Sequence, residues 1–120
     1  YSGIYPKDIK TISNLRADQV KNSGYVWDTL NAALWAFWNT NNFRDCIIEA
    51  ANLCGDADTI AAVAGQIAGA WYGFDSIPSE WVEKLALKDK ILTISNELIN
   101  CALNATSDDI NTNYRKETLT

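Results

Sequence analysis

Two carboxylates and a hydroxyl stand within four residues, in the run Gly55-Asp56-Ala57-Asp58-Thr59. Hard cations such as Mg²⁺ and Mn²⁺ favour carboxylate and hydroxyl oxygens, and an ion would remove the repulsion between two neighbouring acids. The run supplies about three of the roughly six oxygens that an octahedral ion requires. A metal site here therefore needs further oxygens from water, substrate or residues outside the run. Because the chain has no His, its chemistry must rest on carboxylates, hydroxyls, amides or a bound ion.

Helix capping is the simpler interpretation of the same run. Asp56 at an N-cap would accept backbone N–H groups, and Asp58 in the first turn would complement the helix dipole, together contributing roughly 0.5 to 2 kcal/mol. On the residues alone, capping is favoured. An EF-hand loop is excluded because apolar residues follow Asp58 where further acids are needed. A phosphatase with an aspartyl nucleophile is disfavoured, since that motif follows a buried strand and has its Thr one position later.

The acidic run opens a predicted helix from Asp56 or Ala57 to about Tyr72, whose only strongly polar side chain after Ile60 is Gln66. A helix that is apolar on every side belongs in the middle of a protein, surrounded by other helices. Glycines at four-residue steps predict close helix packing, and they are Gly65, Gly69 and Gly73.

Apolar spacing predicts four further helices. One begins at Val26 and is stopped by the polar residues 39–42, and the next covers about residues 43–53, with Cys54 inward and Gly55 ending it. A short helix has Ser79 as its N-cap, and an amphipathic helix covers about residues 91–102. A polar tail follows from about residue 104. With no strand alternation, the fold class is all-α, a helical bundle forming a single domain or domain fragment over residues 1–120.

Composition narrows the class of protein. The formal net charge is -5 and no run of Lys or Arg is dense, so a nucleic-acid partner is not expected. The longest uncharged apolar stretch, residues 60–74, is too short for a bilayer span. Three cysteines without close spacing suggest neither a disulfide framework nor a zinc knuckle, which favours a cytoplasmic setting. The chain opens with Tyr1 rather than Met, which is compatible with a piece of a longer protein.

Three ordered segments resemble the ADP-ribosylglycohydrolase family. Residues 55–73, GDADTIAAVAGQIAGAWYG, are similar to the C-terminal signature of that family. Residues 24–37, GYVWDTLNAALWAF, resemble the segment before the signature, and Ile77-Pro78-x-x-Trp81 resembles the segment after it. The resemblance covers about residues 24–87.

The resemblance implies an all-α fold with a centre of two Mg²⁺ or two Mn²⁺ ions. Such an enzyme hydrolyses the glycosidic bond between ADP-ribose and an acceptor, usually a protein side chain, and its metals activate a water. The family's ligand positions correspond to Asp56, Asp58 and Thr59, with Asp58 the preferred bridge between ions. Gly24 and Tyr25 correspond to positions near the substrate.

The chain lacks two segments that the family carries upstream, an acidic Gly-rich segment and a Thr-Asp-Asp-type segment. It resembles only about the C-terminal third of a member. We therefore expect the C-terminal part of an enzyme that acts on ADP-ribosylated protein or ADP-ribose. Its N-terminal portion lies on a separate chain or is absent. The alternatives are a non-catalytic helical binding or structural module derived from the family, and a small helical interaction domain whose likeness is accidental.

Other conspicuous residues are expected to be structural. Cys54 is predicted to be a small buried filler, and Asp28 to be a partner of the helix dipole. The tryptophans are predicted to pack in the core, and they are Trp27, Trp35, Trp38, Trp71 and Trp81.

Overall fold

The computed structural model describes residues 9–105, and these contain helices and no strand. The predicted all-α class is confirmed. Six α-helices are joined by short loops, with 3₁₀ turns at Ala17–Gln19 and Phe74–Ser76. The α-helices are α1 Ile9–Ser13, α2 Val26–Trp38, α3 Phe43–Asn52, α4 Ala57–Tyr72, α5 Ser79–Glu83 and α6 Lys88–Asn104. Residues 106–120 of the predicted polar tail lie outside the described part.

Local chemistry explains several helix ends. Asn42 caps α3 because its side-chain oxygen accepts the N–H of Asp45 at 2.8 Å. Gly73 ends α4 with a φ of 85°, in the region that glycine adopts without strain. Ser79, predicted as an N-cap, is already the first residue of α5. The bounds of α2, α3 and α4 follow the sequence to within a residue or two, whereas α6 begins three residues before its predicted start.

The described residues form two compact units, divided after Ser79. In the first unit α4 packs against α2 and α3, while α1 packs against α2. Small side chains dominate the centre of this core, which lets the helix backbones lie close together. Its fully buried members are Ile12, Ala32, Ala33, Ala36, Cys46, Ala50, Ile60, Ala64 and Ala68.

Only one stripe of α4 is buried in the described residues, at Ile60, Ala64 and Ala68. The prediction that this helix is covered on every side is therefore wrong for this part of the chain. The reason is that α2 and α3 cover one side, whereas Trp71 on another side is 75% exposed. The predicted close packing is confirmed at Gly65, where an added methyl group would lie 3.4 Å from Cδ1 of Ile47 on α3.

The tryptophans divide between core and surface. Trp35 is buried, and its indole N–H donates to the Leu15 carbonyl at 2.8 Å. Trp38 is 59% exposed, so the core prediction is wrong for Trp38 and Trp71. Trp71 does make an edge contact with Phe37, with ring centroids 6.4 Å apart. Both exposed tryptophans lie in the last turns of their helices, where the described residues provide little cover.

The second unit begins at Glu80 and contains the rest of α5 and all of α6. Lys88 forms an ion pair of 2.7 Å with Glu83. No residue of α6 is buried, although the predicted apolar stripe is present. The large exposed side chains of this helix are Ile91, Ile94, Leu98, Ile99 and Leu103. None of the described helices combines the length and apolar character needed to cross a bilayer.

Candidate functional site

The acidic run follows a tight turn between α3 and α4. Cys54 and Gly55 both have left-handed backbones, with φ of 60° and 62°. The turn is fastened to the segment before α2, because the Asp56 N–H donates to the Asn22 carbonyl at 2.9 Å. Cys54 is exposed, so the prediction of a buried filler is wrong. The residue belongs to this turn and not to the inward face of α3.

Asp56 occupies the N-cap position of α4 but makes no side-chain capping bond. Its Oδ1 instead accepts the Thr59 hydroxyl at 3.0 Å. The Thr59 N–H donates to Oδ1 of Asp58, also at 3.0 Å. The capping expected of Asp56 is therefore absent, and a three-residue polar cluster takes its place.

The cluster faces solvent at the start of α4. Asp56 is half-buried, whereas Asp58 and Thr59 are exposed. Within residues 9–105, no group of three or more His, Cys, Asp or Glu side chains is placed to hold a metal ion. The cluster thus offers two carboxylates and one hydroxyl, the incomplete oxygen set that the sequence indicates.

The structure brings Gly24 to the acidic cluster. A methyl group added at Gly24 would lie 3.0 Å from Oδ2 of Asp56. Tyr25 follows as the N-cap residue of α2 and is 42% exposed. Gly24 and Thr59 therefore both lie against the Asp56 carboxylate, while Tyr25 and Asp58 adjoin these residues in sequence.

An open pocket of about 370 Å³ adjoins the cluster between the starts of α2 and α4. Thr59 contributes to its wall, so the pocket continues from the polar cluster onto an apolar surface. The lining residues are Gly24, Val26, Thr29, Leu30, Thr59 and Val63.

Sequence reasoning missed the residues that support this site. Ser23 donates its hydroxyl to Oδ2 of Asp28 at 2.7 Å, and Asp28 is only 9% exposed. The side-chain amide of Asn22 donates to the Leu53 carbonyl at 2.5 Å, across 31 positions in the chain. No local pattern reports a contact of that separation. The position of Asp28 in the first turn of α2 predicted an interaction with the helix dipole. It did not predict the hydrogen bond from Ser23.

Comparison with known families then identifies the chain. A model of the ADP-ribosylglycohydrolase family matches residues 6–107. The chain belongs to the ADP-ribosylglycohydrolase family. The matched range includes every predicted site residue and all six helices. The family resemblance of the three segments is thereby confirmed.

Three bacterial relatives of this ADP-ribosylglycohydrolase chain are named as hydrolases. It is 58% identical over 85 residues to ADP-ribosylarginine hydrolase Tri1 of Pseudomonas putida, a match covering 71% of this chain and 23% of that protein. For the protein of the same name from Serratia proteamaculans, identity is 51% over 87 residues, 72% of this chain and 24% of the relative. An ADP-ribosyl-[dinitrogen reductase] glycohydrolase of Rhodospirillum rubrum is 46% identical over 68 residues, 57% of this chain and 23% of the relative. The chain therefore spans about a quarter of the length of these relatives.

Proposed function

We propose that this chain is the C-terminal, metal-ligand-bearing part of an ADP-ribosylglycohydrolase. The whole enzyme hydrolyses the glycosidic bond between ADP-ribose and a protein side chain. The observation that carries the proposal is the Asp56 carboxylate, which stands at the N-cap of α4 without capping it and lies beside Asp58 and Thr59. Family membership over residues 6–107 supports the reaction class.

The donor chemistry of the cluster fits Mg²⁺ or Mn²⁺, and two such ions are proposed in the complete site. Asp56, Asp58 and Thr59 would hold them through carboxylate and hydroxyl oxygens, and the exposure of Asp58 leaves room for water or substrate ligands. When bound, the metal supplies Lewis acidity that lowers the pKa of a water. The residues of this chain hold and orient the oxygen ligands, while Gly24 and Tyr25 border the substrate.

The remaining ligands and most of the ADP-ribose pocket would come from an N-terminal portion, on a separate chain or on a longer form of this one. The matched relatives are about four times as long as the stretch they share with this chain. Each unit also exposes large apolar side chains that such a portion would cover. The first unit exposes Trp71 and Phe74, and the second exposes the stripe of α6.

The relatives and the cysteines add two further features to the proposal. Both Tri1 relatives are named ADP-ribosylarginine hydrolases, so ADP-ribosylated arginine is the proposed acceptor linkage.

All three cysteines are unpaired, which supports a reducing, cytoplasmic setting.

Reconstitution tests the proposal. This chain is co-expressed with the N-terminal three-quarters of the Pseudomonas putida relative, and release of ADP-ribose from an ADP-ribosylated arginine protein is measured with Mg²⁺. Activity should require both portions and disappear with chelator. Asp56→Ala plus Asp58→Ala should lower activity by at least about 100-fold, because two proposed metal ligands are lost.

The matched control is Asp75→Ala plus Asp89→Ala, which removes the same charge from two exposed acids outside the cluster. It should retain activity within about two-fold. Full activity of the Asp56 and Asp58 double variant would refute the assigned site. Assembly of the two portions without hydrolysis would instead establish the non-catalytic module.

A further inference from the structure

The segment Asn22-Ser23-Gly24 lies directly against the acidic cluster. We propose that this segment is a positioning element for the Asp56 carboxylate, with Gly24 as the residue that sets where the carboxylate lies. The role toward a metal rests on the proposed function, whereas the placement of the carboxylate stands without it.

The segment first fastens the backbone that carries Asp56. The Asn22 carbonyl accepts the Asp56 N–H at 2.9 Å, and the Asn22 side-chain amide donates to Leu53 at 2.5 Å. One residue thereby holds both ends of the turn between α3 and α4. A side chain at Gly55 would overlap the main-chain oxygen of Asn22, so the two backbones meet at van der Waals distance.

The segment is itself held on the buried part of α2. The Ser23 hydroxyl donates to Asp28 at 2.7 Å and accepts the Tyr25 N–H at 3.2 Å. The Thr29 hydroxyl donates to the Ser23 carbonyl at 3.2 Å. Asp28 and Thr29 are both buried, so two of these bonds join the segment to buried residues of α2. The segment that contacts Asp56 is therefore bonded to α2 and does not rest on loop contacts alone.

Gly24 directly limits the positions that the Asp56 carboxylate can occupy. Oδ1 of Asp56 accepts the Thr59 hydroxyl, while Oδ2 lies 3.0 Å from where a methyl group at Gly24 would stand. The carboxylate fits between these two residues because Gly24 has no side chain. Gly24 is not among the residues with positive φ, so Ala is compatible with its backbone and would act mainly by displacing the carboxylate.

Gly24→Ala tests the inference, with Gly69→Ala as a matched control. A methyl group at Gly69 would meet Phe43 at 3.8 Å, an ordinary contact remote from the acids in sequence. Two quantities are measured on the 120-residue chain: the carboxyl ¹³C resonance of Asp56 without metal, and the affinity for Mn²⁺ from paramagnetic broadening of the Thr59 amide signal. Folding of each variant is checked from its amide spectrum and melting temperature.

In Gly24→Ala the Asp56 resonance should shift and Mn²⁺ affinity should fall about 10-fold, the size expected when support of a metal ligand is lost. The melting temperature should change by less than about 4 °C. Gly69→Ala should change neither the resonance nor the affinity. If Gly24→Ala does not fold, Asn22→Ala serves in its place, because it removes the bond to Leu53 and keeps the main-chain bond to Asp56.

The outcomes separate the two proposals. An unchanged Asp56 resonance and unchanged Mn²⁺ affinity in a folded variant overturn the positioning role. A shifted resonance with unchanged affinity overturns its relevance to metal. Mn²⁺ binding that survives Asp56→Ala plus Asp58→Ala refutes the metal site of the proposed function, and the metal-free resonance still decides whether Gly24 places the carboxylate.

Discussion

The helices α3 and α4 each begin after a short polar residue, but the two residues act differently. Asn42 caps α3 in the ordinary way, with its side-chain oxygen bonded to the N–H of Asp45. Asp56 stands at the same position of α4, and its carboxylate bonds to the Thr59 hydroxyl without capping the helix. A polar residue at a helix start therefore caps the helix in one case and bonds to a neighbouring side chain in the other.

The start of α4 is stabilised by other means. Its backbone is fixed by the hydrogen bond from Asp56 to the Asn22 carbonyl, and Ile60 is fully buried in the first turns. Long-range contacts thus replace the local cap. The Asp56 carboxylate therefore has no capping role, and three comparisons of decreasing expected effect test how α3 and α4 are held.

Replacing the buried Ile60 should have the largest effect on stability. Ile60→Ala should lower the free energy of unfolding by about 2 to 5 kcal/mol, because apolar surface is lost and a cavity remains. Ile94→Ala on α6 removes the same atoms from an exposed position and should cost less than about 0.5 kcal/mol. Urea denaturation measures both. Equal losses would show that burial of Ile60 does not hold α4.

Removing the two N-cap side chains compares the helix starts directly. Asn42→Ala should lower the free energy of unfolding by about 1 kcal/mol, since a capping bond is lost. Asp56→Ala, measured by urea denaturation in chelator, should cost less than half as much, because no capping bond is present and repulsion from Asp58 is relieved. If Asp56→Ala lowered the free energy of unfolding more than Asn42→Ala, the view that Asn42 caps its helix and Asp56 does not would be contradicted.

The smallest effect concerns Cys46 in α3, compared with Cys54 in the turn before α4. Burial raises the pKa of the Cys46 thiol above its ordinary value of 9.0, against the opposing hydrogen bond with Thr40. The folded chain therefore keeps this proton at a pH where the unfolded chain releases it. Stability from this group is complete well below pH 9 and falls as the pH rises above that value.

Denaturation curves of the chain and of Cys46→Ala at increasing pH measure that decline, which should be smaller in the variant. A thiol reagent provides a second measurement in the native chain. It should modify the exposed Cys54 and Cys101 at once and Cys46 only on unfolding. Rapid modification of Cys46 would show that α3 is not packed as described.

The helices were predictable because their signals are local. Apolar residues at three- and four-residue steps from Val26, and the polar residues after Trp38, predicted α2 with its observed bounds. The same periodicity predicted α3 and α4 closely. Periodicity reports which residues prefer burial and not which neighbour covers them. This is why Trp71 was predicted in the core and is exposed, and why the stripe of α6 was recognised while its exposure was not.

By itself, the sequence determined the all-α class, the Asp56, Asp58 and Thr59 cluster, and the family resemblance, since each depends on residues close together in the chain. Only the tertiary structure decided that Asp56 does not cap α4, and that Asn22 and Gly24 enclose it. Those contacts join residues more than thirty positions apart. Their formation depends on how α2, α3 and α4 pack, because packing brings the segment before α2 against the turn before α4.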